Sequence, residues 1–227
     1  MNGAGRIVRS FGAAEQAVAA AAEAVLAGLL AADAANGRSR LAIPGGSAVV
    51  VMRAVLAGLP EAVRRRLRLT WVDERCVPLA DKDSNRGAAA RAGLLPGDCA
   101  VTLPLWWDDV SPGVALGRAS AGLRSDFGEG LDVALLGLGE DGHVASLFPG
   151  RAPRAGTVAY ISDSPKPPAE RMSLTLGMLE RAGLCVLLAT GASKREALQR
   201  LRRRDPQLPG SALLRLQIYT DVELEDA

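Results

Sequence analysis

Short apolar runs of strand length alternate along this chain with longer alanine-rich or amphipathic stretches, and no other feature restricts the fold as much. The runs are Leu41 to Ile43, Leu69 to Val72, Val101 to Leu105, Leu131 to Leu136, Val158 to Ile161, Leu184 to Ala189 and Gln217 to Thr220. Helix candidates lie at Ala13 to Ala35, Ala48 to Leu59, Ala88 to Leu94, Gly113 to Asp126, Ser173 to Arg181 and Ser193 to Arg203. A strand buried on both faces reads as an unbroken apolar run, and a parallel partner needs a crossover long enough to hold a helix. The pattern predicts an α/β fold: a mostly parallel open sheet with helices on both faces, a Rossmann-like three-layer sandwich. Pro149 to Pro153 and Pro165 to Pro168 are read as loops, because proline lacks the donor that regular structure uses. With no internal repeat and no linker, residues 1–227 are expected to form a single domain.

Composition removes several classes of function. At 48% hydrophobic and 23% charged, the chain reads as an ordinary soluble globular protein. A net charge of +2 gives no reason to expect nucleic acid or an anionic membrane as a partner. The arginine clusters Arg64 to Arg66 with Arg68, and Arg200 with Arg202 to Arg204, lack interleaved aromatics and are read as solvated helix faces. Three cysteines, Cys76, Cys99 and Cys185, form no Cys-x-x-Cys pair, which predicts reduced thiols in the cytoplasm and no metal site. Glu15, Gln16, Glu23 and Asp33 interrupt the alanine-rich stretch Ala13 to Ala35, so it is read as an amphipathic helix, and no apolar run is expected to approach membrane length. The oligomeric expectation is a monomer or weak homo-oligomer.

The chemistry-bearing residues cluster just after the predicted strands. In open parallel sheets ligands bind beyond the carboxyl ends of the strands, where loops and helix starts converge. Pro44-Gly45-Gly46-Ser47, Asp73-Glu74-Arg75, Gly137 to Gly150 and Thr190-Gly191-Ala192-Ser193-Lys194 each follow such a run, which predicts one shared cleft. Gly45-Gly46-Ser47 offers backbone N–H groups and a hydroxyl to an anion, and Lys194 a mobile positive charge. The segment Gly137 to Gly142 also satisfies the glycine pattern of dinucleotide-binding turns, with Asp163 placed downstream. That reading is set aside because Pro149, Gly150 and Pro153 leave too little room for the helix the turn must open.

The chain owns one histidine, His143, and places it in this glycine-rich loop. Imidazole is the side chain best suited to exchange protons near neutral pH. No Gly-x-Ser-x-Gly elbow surrounds Ser47, Ser146, Ser193 or Ser211, so a covalent serine mechanism is disfavoured and activation of water by His143 is preferred.

Two segments carry a resemblance. Trp71 to Pro78, followed by Asp83-Ser84-Asn85, is similar to the first signature of the 6-phosphogluconolactonases, and Leu131 to Gly150 is similar to the second. Gly45-Gly46-Ser47, Arg171-Met172-Ser173-Leu174-Thr175 and Gly191-Ala192-Ser193-Lys194 support it in the same order. The resemblance implies hydrolysis of 6-phospho-D-glucono-1,5-lactone to 6-phosphogluconate, the second step of the oxidative pentose phosphate pathway, without a cofactor or metal. It casts His143 as general base, Asp141 as the residue orienting the loop or ring, and Arg75 as a contact for substrate oxygens or a developing oxyanion. Arg75 paired with Asp73 or a neighbouring carboxylate, and Asp141 as a turn cap, are the competing readings. Gly45, Gly46, Ser47, Arg171 and Lys194 are implied for the 6-phosphate, with Asp73 as a further substrate-side residue. Pro44 departs from relatives that carry Ser or Thr there, which removes one hydroxyl from the phosphate site.

Two alternatives remain within the resemblance. The wider group includes amino-sugar 6-phosphate isomerases and deaminases that share the Asp-Gly-His loop. Their following stretch resembles Asn-Glu-Pro-Gly, whereas Ser146 to Gly150 brings no acid here. A non-catalytic sugar-phosphate sensor is the other, and no helix-turn-helix segment is readable to support it.

Overall fold

The computed structural model describes residues 7–128 and 130–224. Seven strands form a parallel sheet: β1 (Ile7–Ser10), β2 (Ser39–Ile43), β3 (Leu67–Trp71), β5 (Val101–Leu103), β6 (Val133–Gly137), β9 (Leu184–Leu188) and β10 (Leu216–Thr220), in the order β1-β10-β9-β6-β2-β3-β5. Six of the predicted runs became its strands; β1 is an addition. Val133 to Leu136 and Cys185 to Leu188 are all buried, which is why those strands carry no polar alternation. Helices flank the sheet in the expected three-layer α/β arrangement.

Helix α1 (Ala14–Asn36) packs on β2, β6, β9 and β10 together with α2 (Val51–Gly58). Its buried residues Ala17, Ala21, Val25 and Leu29 recur every fourth position and form one face. Much of its exposed face is alanine, so the helix is more uniformly apolar than an amphipathic reading suggests. It has 23 residues, and an 18-residue stretch of it has a mean hydropathy of 1.7, which is long and apolar enough to cross a membrane, contrary to the expectation that no run approaches that length. Here that apolarity serves close packing: a Cβ on Gly28 would stand 2.8 Å from a Val133 methyl.

The arginines read as solvated faces are largely paired. Arg66 holds the buried Asp33 of α1 through Nε (2.9 Å) and Nη2 (2.6 Å). Arg64 pairs with Asp98, Arg65 with Glu61, Arg68 with Asp126 and Arg200 with Asp205. Arg66 therefore ties α1 to the turn between α3 (Glu61–Arg64) and β3 instead of standing free in solvent.

Three further strands make a second, antiparallel sheet that the apolar runs did not foretell: β4 (Asp73–Arg75), β8 (Arg171–Leu174) and β7 (Val158–Ile161). The Val158 to Ile161 run is thus a strand, but not of the parallel sheet. The helix predicted from Ser173 to Arg181 is also corrected. Ser173 and Leu174 belong to β8, where Ser173 pairs with Asp73, and α6 runs only from Leu176 to Glu180, with the Thr175 hydroxyl accepting from the Met178 N–H. Pairing with β4 and β7 overrode local helix preference in a segment too short to hold a helix alone. The two sheets are spliced at Val72, whose N–H donates to the Ile43 carbonyl (2.9 Å) and whose carbonyl accepts from Leu174 (2.8 Å).

Helix α4 (Asn85–Arg91) lies between β4 and β5, and α5 (Pro112–Gly122) between β5 and β6, the latter extended by a wider turn of π type over Leu123–Phe127. The last helix, α7 (Arg195–Arg202), follows β9 after a short 3₁₀ turn at Ala192–Lys194.

Candidate active site

Strands β2 and β6 are neighbours, yet the chain runs from β2 outward through β3 and β5 and from β6 outward the other way through β9 and β10. Such a reversal of strand order leaves a crevice at the carboxyl ends, because the successive crossovers diverge there. The loops leaving β2, β3, β6 and β9 do share one cavity of 370 Å³. Of the nine residues singled out from sequence, Gly45, Gly46, Ser47, Asp73, Arg75, His143, Arg171 and Lys194 line it. Asp141 lies behind His143 as its hydrogen-bond partner.

The loop after β6 is a tight turn in which no helix follows Gly142 before β7, which removes the dinucleotide reading. The Gly139 N–H donates to the His143 carbonyl (2.8 Å) and the Gly142 N–H to the Gly139 carbonyl (2.9 Å). Gly142 adopts φ +89°, open to glycine at little cost. The turn brings His143 Nδ1 to 2.5 Å from Asp141 Oδ1. An ionised carboxylate only accepts, so Nδ1 carries the hydrogen and the lone pair is left on Nε2. Gly139 is required for a different reason: a Cβ there would stand 2.0 Å from Nδ1 and 2.4 Å from Asp141 Oδ1.

Burial pushes the imidazole below its ordinary value, and the hydrogen bond and charge of Asp141 only partly oppose this. Burial works to raise the Asp141 carboxyl, but the His143 hydrogen bond and charge, with Lys166 adding to them, outweigh it and hold the carboxyl below the usual range. Both shifts favour neutral imidazole beside ionised carboxylate at neutral pH. The Phe148 ring packs against the imidazole with centroids 5.0 Å apart.

A buried polar network supports the opposite wall. The Ser146 hydroxyl donates to Asp73 Oδ2 (2.6 Å), and Asn85 Nδ2 donates to the Asp73 carbonyl (2.9 Å). Glu74, also buried, accepts from the backbone N–H groups of Arg75, Asn85 and Arg86, each at 2.7 Å. Burial raises the Glu74 carboxyl despite these bonds. Its structural effect is to fix the start of α4 against β4, and with it Asn85. Asn85 in turn demands glycine at position 45, where a Cβ would fall 1.8 Å from Asn85 Oδ1. Gly46 is needed for its backbone, at φ +63°. The two glycines of the cradle are thus fixed by two separate constraints.

The cations differ in how free they are. Arg75 donates from Nη1 to the Asp83 carbonyl (2.8 Å), and among the described residues no carboxylate stands within 4.0 Å of it, so the expected alternative of an Asp73 pair is not formed. Lys194 has no ion-pair partner among the described residues and faces the cleft. Arg171 is only 3% exposed. Its Nε and Nη2 are engaged by main-chain carbonyls, leaving Nη1 beside Ser146 (3.4 Å) and Asp73 (3.9 Å).

Residues 12–220 match the family described as glucosamine-6-phosphate isomerases/6-phosphogluconolactonase. The chain belongs to this family. A 6-phosphogluconolactonase of Caulobacter vibrioides is 36% identical over 219 residues, covering 92% of each chain. The 6-phosphogluconolactonase 3 of Saccharomyces cerevisiae is 32% identical over 193 residues, covering 78% of this chain and 77% of its own. Among solved structures, a 6-phosphogluconolactonase from Shewanella baltica superposes with a TM-score of 0.81 at 20% identity, covering 96% of this chain and 97% of its own. A monomeric glucosamine-6-phosphate deaminase shares the fold, with a TM-score of 0.75 at 16% identity, covering 94% of this chain and 96% of its own.

Within this family member, four residues of the site were missed from sequence. Asn85 was visible in the Asp83-Ser84-Asn85 signature, but nothing local shows that its amide closes on Asp73. Glu74 and Ser146 look like ordinary loop polars until burial is known. Lys166 lines the cleft from the proline-rich segment before β8, with Nζ 3.4 Å from Asp141 Oδ1. A lone cation among Pro165, Pro167 and Pro168 was the only available hint.

Proposed function

We propose that this chain hydrolyses 6-phospho-D-glucono-1,5-lactone to 6-phospho-D-gluconate, with His143 as general base. The observation that carries this reading is the sole imidazole of the chain, hydrogen-bonded through Nδ1 to Asp141, in the same cleft as the glycine cradle and Lys194. Nε2 takes a proton from water as the water attacks the lactone carbonyl. A tetrahedral oxyanion forms, and Arg75, which like Lys194 lines the cleft without a carboxylate partner among the described residues, stabilises it. Collapse of that intermediate breaks the ring ester bond, and the imidazolium returns the proton to the departing ring oxygen. Asp141 holds the ring in the required tautomer and offsets the charge of the imidazolium.

The 6-phosphate is assigned to Lys194, the hydroxyl of Ser47 and the backbone of Gly45 and Gly46. Arg171 supports that end through the single nitrogen left to it, and Asp73 acts on substrate indirectly, by fixing Ser146 and Asn85. Pro44 brings no hydroxyl, so the cradle relies on backbone donors. We assign the reaction to the oxidative branch of the pentose phosphate pathway, and the three free thiols Cys76, Cys99 and Cys185 support a cytoplasmic setting. The deaminase reading of the same fold lacks the acid that its Asn-Glu-Pro-Gly stretch would bring, since Ser146 to Gly150 holds no carboxylate and turns the Phe148 ring to the imidazole.

The test is an assay in which the lactone is generated enzymatically and acid release is followed. General-base catalysis contributes about a hundred- to ten-thousandfold, so His143→Gln is expected to raise the barrier by about 3 to 5 kcal/mol with KM little changed. Wild-type turnover in that variant would remove His143 as the base, and ammonia release from glucosamine 6-phosphate by the wild type would replace the lactonase reading.

A further inference from the structure

Lys166 stands outside the roles assigned so far, yet its position is fixed with unusual care. It belongs to a strap, residues 164–170, that joins β7 to β8. Arg171 pins this strap from below: Nε donates to the Pro168 carbonyl (3.0 Å) and Nη2 to those of Lys166 (3.0 Å) and Pro167 (3.2 Å). From the other side, the Ser164 hydroxyl donates to the Lys166 carbonyl (2.8 Å) and accepts from the Lys166 N–H (3.2 Å). Three prolines, Pro165, Pro167 and Pro168, restrict the backbone further. The side chain that emerges is 45% exposed, lines the cleft and sets Nζ 3.4 Å from Asp141 Oδ1. That is the same oxygen that accepts from His143 Nδ1 at 2.5 Å.

One carboxylate oxygen thus has an ammonium on one side and an imidazole on the other. We propose that Lys166 is a positioning residue for the Asp141–His143 pair, sharing Asp141 Oδ1 so that the carboxylate stays charged while the imidazole keeps its Nε2 free of a proton. A carboxylate acting alone stabilises the imidazolium and occupies the base with a proton. A cation on that carboxylate cancels part of its field, and the ring retains the orientation without the excess basicity. The charged groups facing the imidazole are Asp141 and Glu140 on its own loop, Asp73 and Arg75 from β4, Arg171 from β8, Lys194 from the loop after β9, and Lys166. Burial and Lys166 act downward on His143 and Asp141 and Asp73 act upward, with the downward influences prevailing. Among these cations, Lys166 is the one in ion-pair contact with the His143 partner.

The catalytic consequence rests on the lactonase reading, but the electrostatic claim does not, and the two are separable because His143 is the only histidine. Its ring gives a single set of imidazole resonances, so its titration is followed by NMR without substrate. Lys166→Met is expected to move the midpoint to higher pH, and Lys166→Arg to leave it near the wild-type position. In kcat/KM, Lys166→Met is expected to lose about threefold more than wild type between pH 8 and pH 6, through the altered imidazole titration. Thermal melts check folding, with Lys166→Gln as a second neutral variant. An unchanged midpoint in folded Met and Gln variants overturns the proposal, even in an active lactonase. So does a rise in KM with no change in titration, which makes Lys166 a substrate ligand. A shifted midpoint in a protein with no lactonase turnover upholds the proposal and sinks the function.

Discussion

Gly139→Ala tests the geometry of the base while leaving both His143 and Asp141 in the sequence. The new Cβ would lie 2.0 Å from His143 Nδ1, 2.2 Å from Cε1 and 2.4 Å from Asp141 Oδ1, all about an ångström or more inside van der Waals contact. The backbone cannot easily yield, since Gly139 both donates to the His143 carbonyl and accepts from the Gly142 N–H. The imidazole must therefore swing away and the Asp141 hydrogen bond must break. A misplacement of about 1 Å costs roughly a hundredfold in rate, and complete loss of the base sets an upper limit of about ten-thousandfold. A hundred- to thousandfold fall in kcat, about 3 to 4 kcal/mol, is expected. KM should change little, because the residues assigned to the phosphate, Lys194 and Ser47, stand on other loops. Overpacking is expected to lower stability by about 1 to 3 kcal/mol, leaving a folded protein for the acid-release assay. Turnover within threefold of wild type would show that the Asp141–His143 pair is not the proton-transfer apparatus.

Further outcomes follow from the same geometry. The acidic limb of kcat/KM should lie below the ordinary imidazole value of 6.5, because burial disfavours the charged ring. For stability the sign is the same: neutral His143 stabilises the fold fully above 6.5, and this is lost as pH falls through its lower folded value, so wild type should lose more stability than His143→Gln between pH 8 and 5 in thermal melts. Lys194→Met should raise KM at least about tenfold, the scale of a charge-assisted phosphate contact, with kcat nearly unchanged; a kcat defect at constant KM would place Lys194 at the reacting carbonyl. Glu74→Ala should destabilise the protein by about 3 kcal/mol, since three backbone donors lose a buried acceptor; a melt within 1 °C of wild type would refute that role.

Much of this site was legible because it is made of loops that follow strands. The apolar runs placed β2, β6 and β9, and the chemistry sits in the residues next along the chain, so Gly45 to Ser47, His143 and Lys194 could be gathered into one cleft before any coordinates. The signal failed where contacts are made between segments far apart. Arg171 shows the difference: sequence offered a cation for phosphate, whereas the fold spends most of its donors on the strap that carries Lys166. Asp73 likewise reads as a substrate residue but is engaged by Ser146, which lies 73 positions along the chain.

The order of elements, the parallel sheet and the candidate for proton transfer were determined by the sequence itself, because burial on two faces and a single imidazole leave few alternatives. The antiparallel sheet of β4, β8 and β7 was decided only in three dimensions. Its strands are short and mixed in polarity, and they gain their hydrogen bonds from one another and from the rim of the larger sheet. That sheet carries Asp73, Arg75 and Arg171 to the cleft and starts the strap at its border, so the wall facing His143 exists only once distant segments have paired.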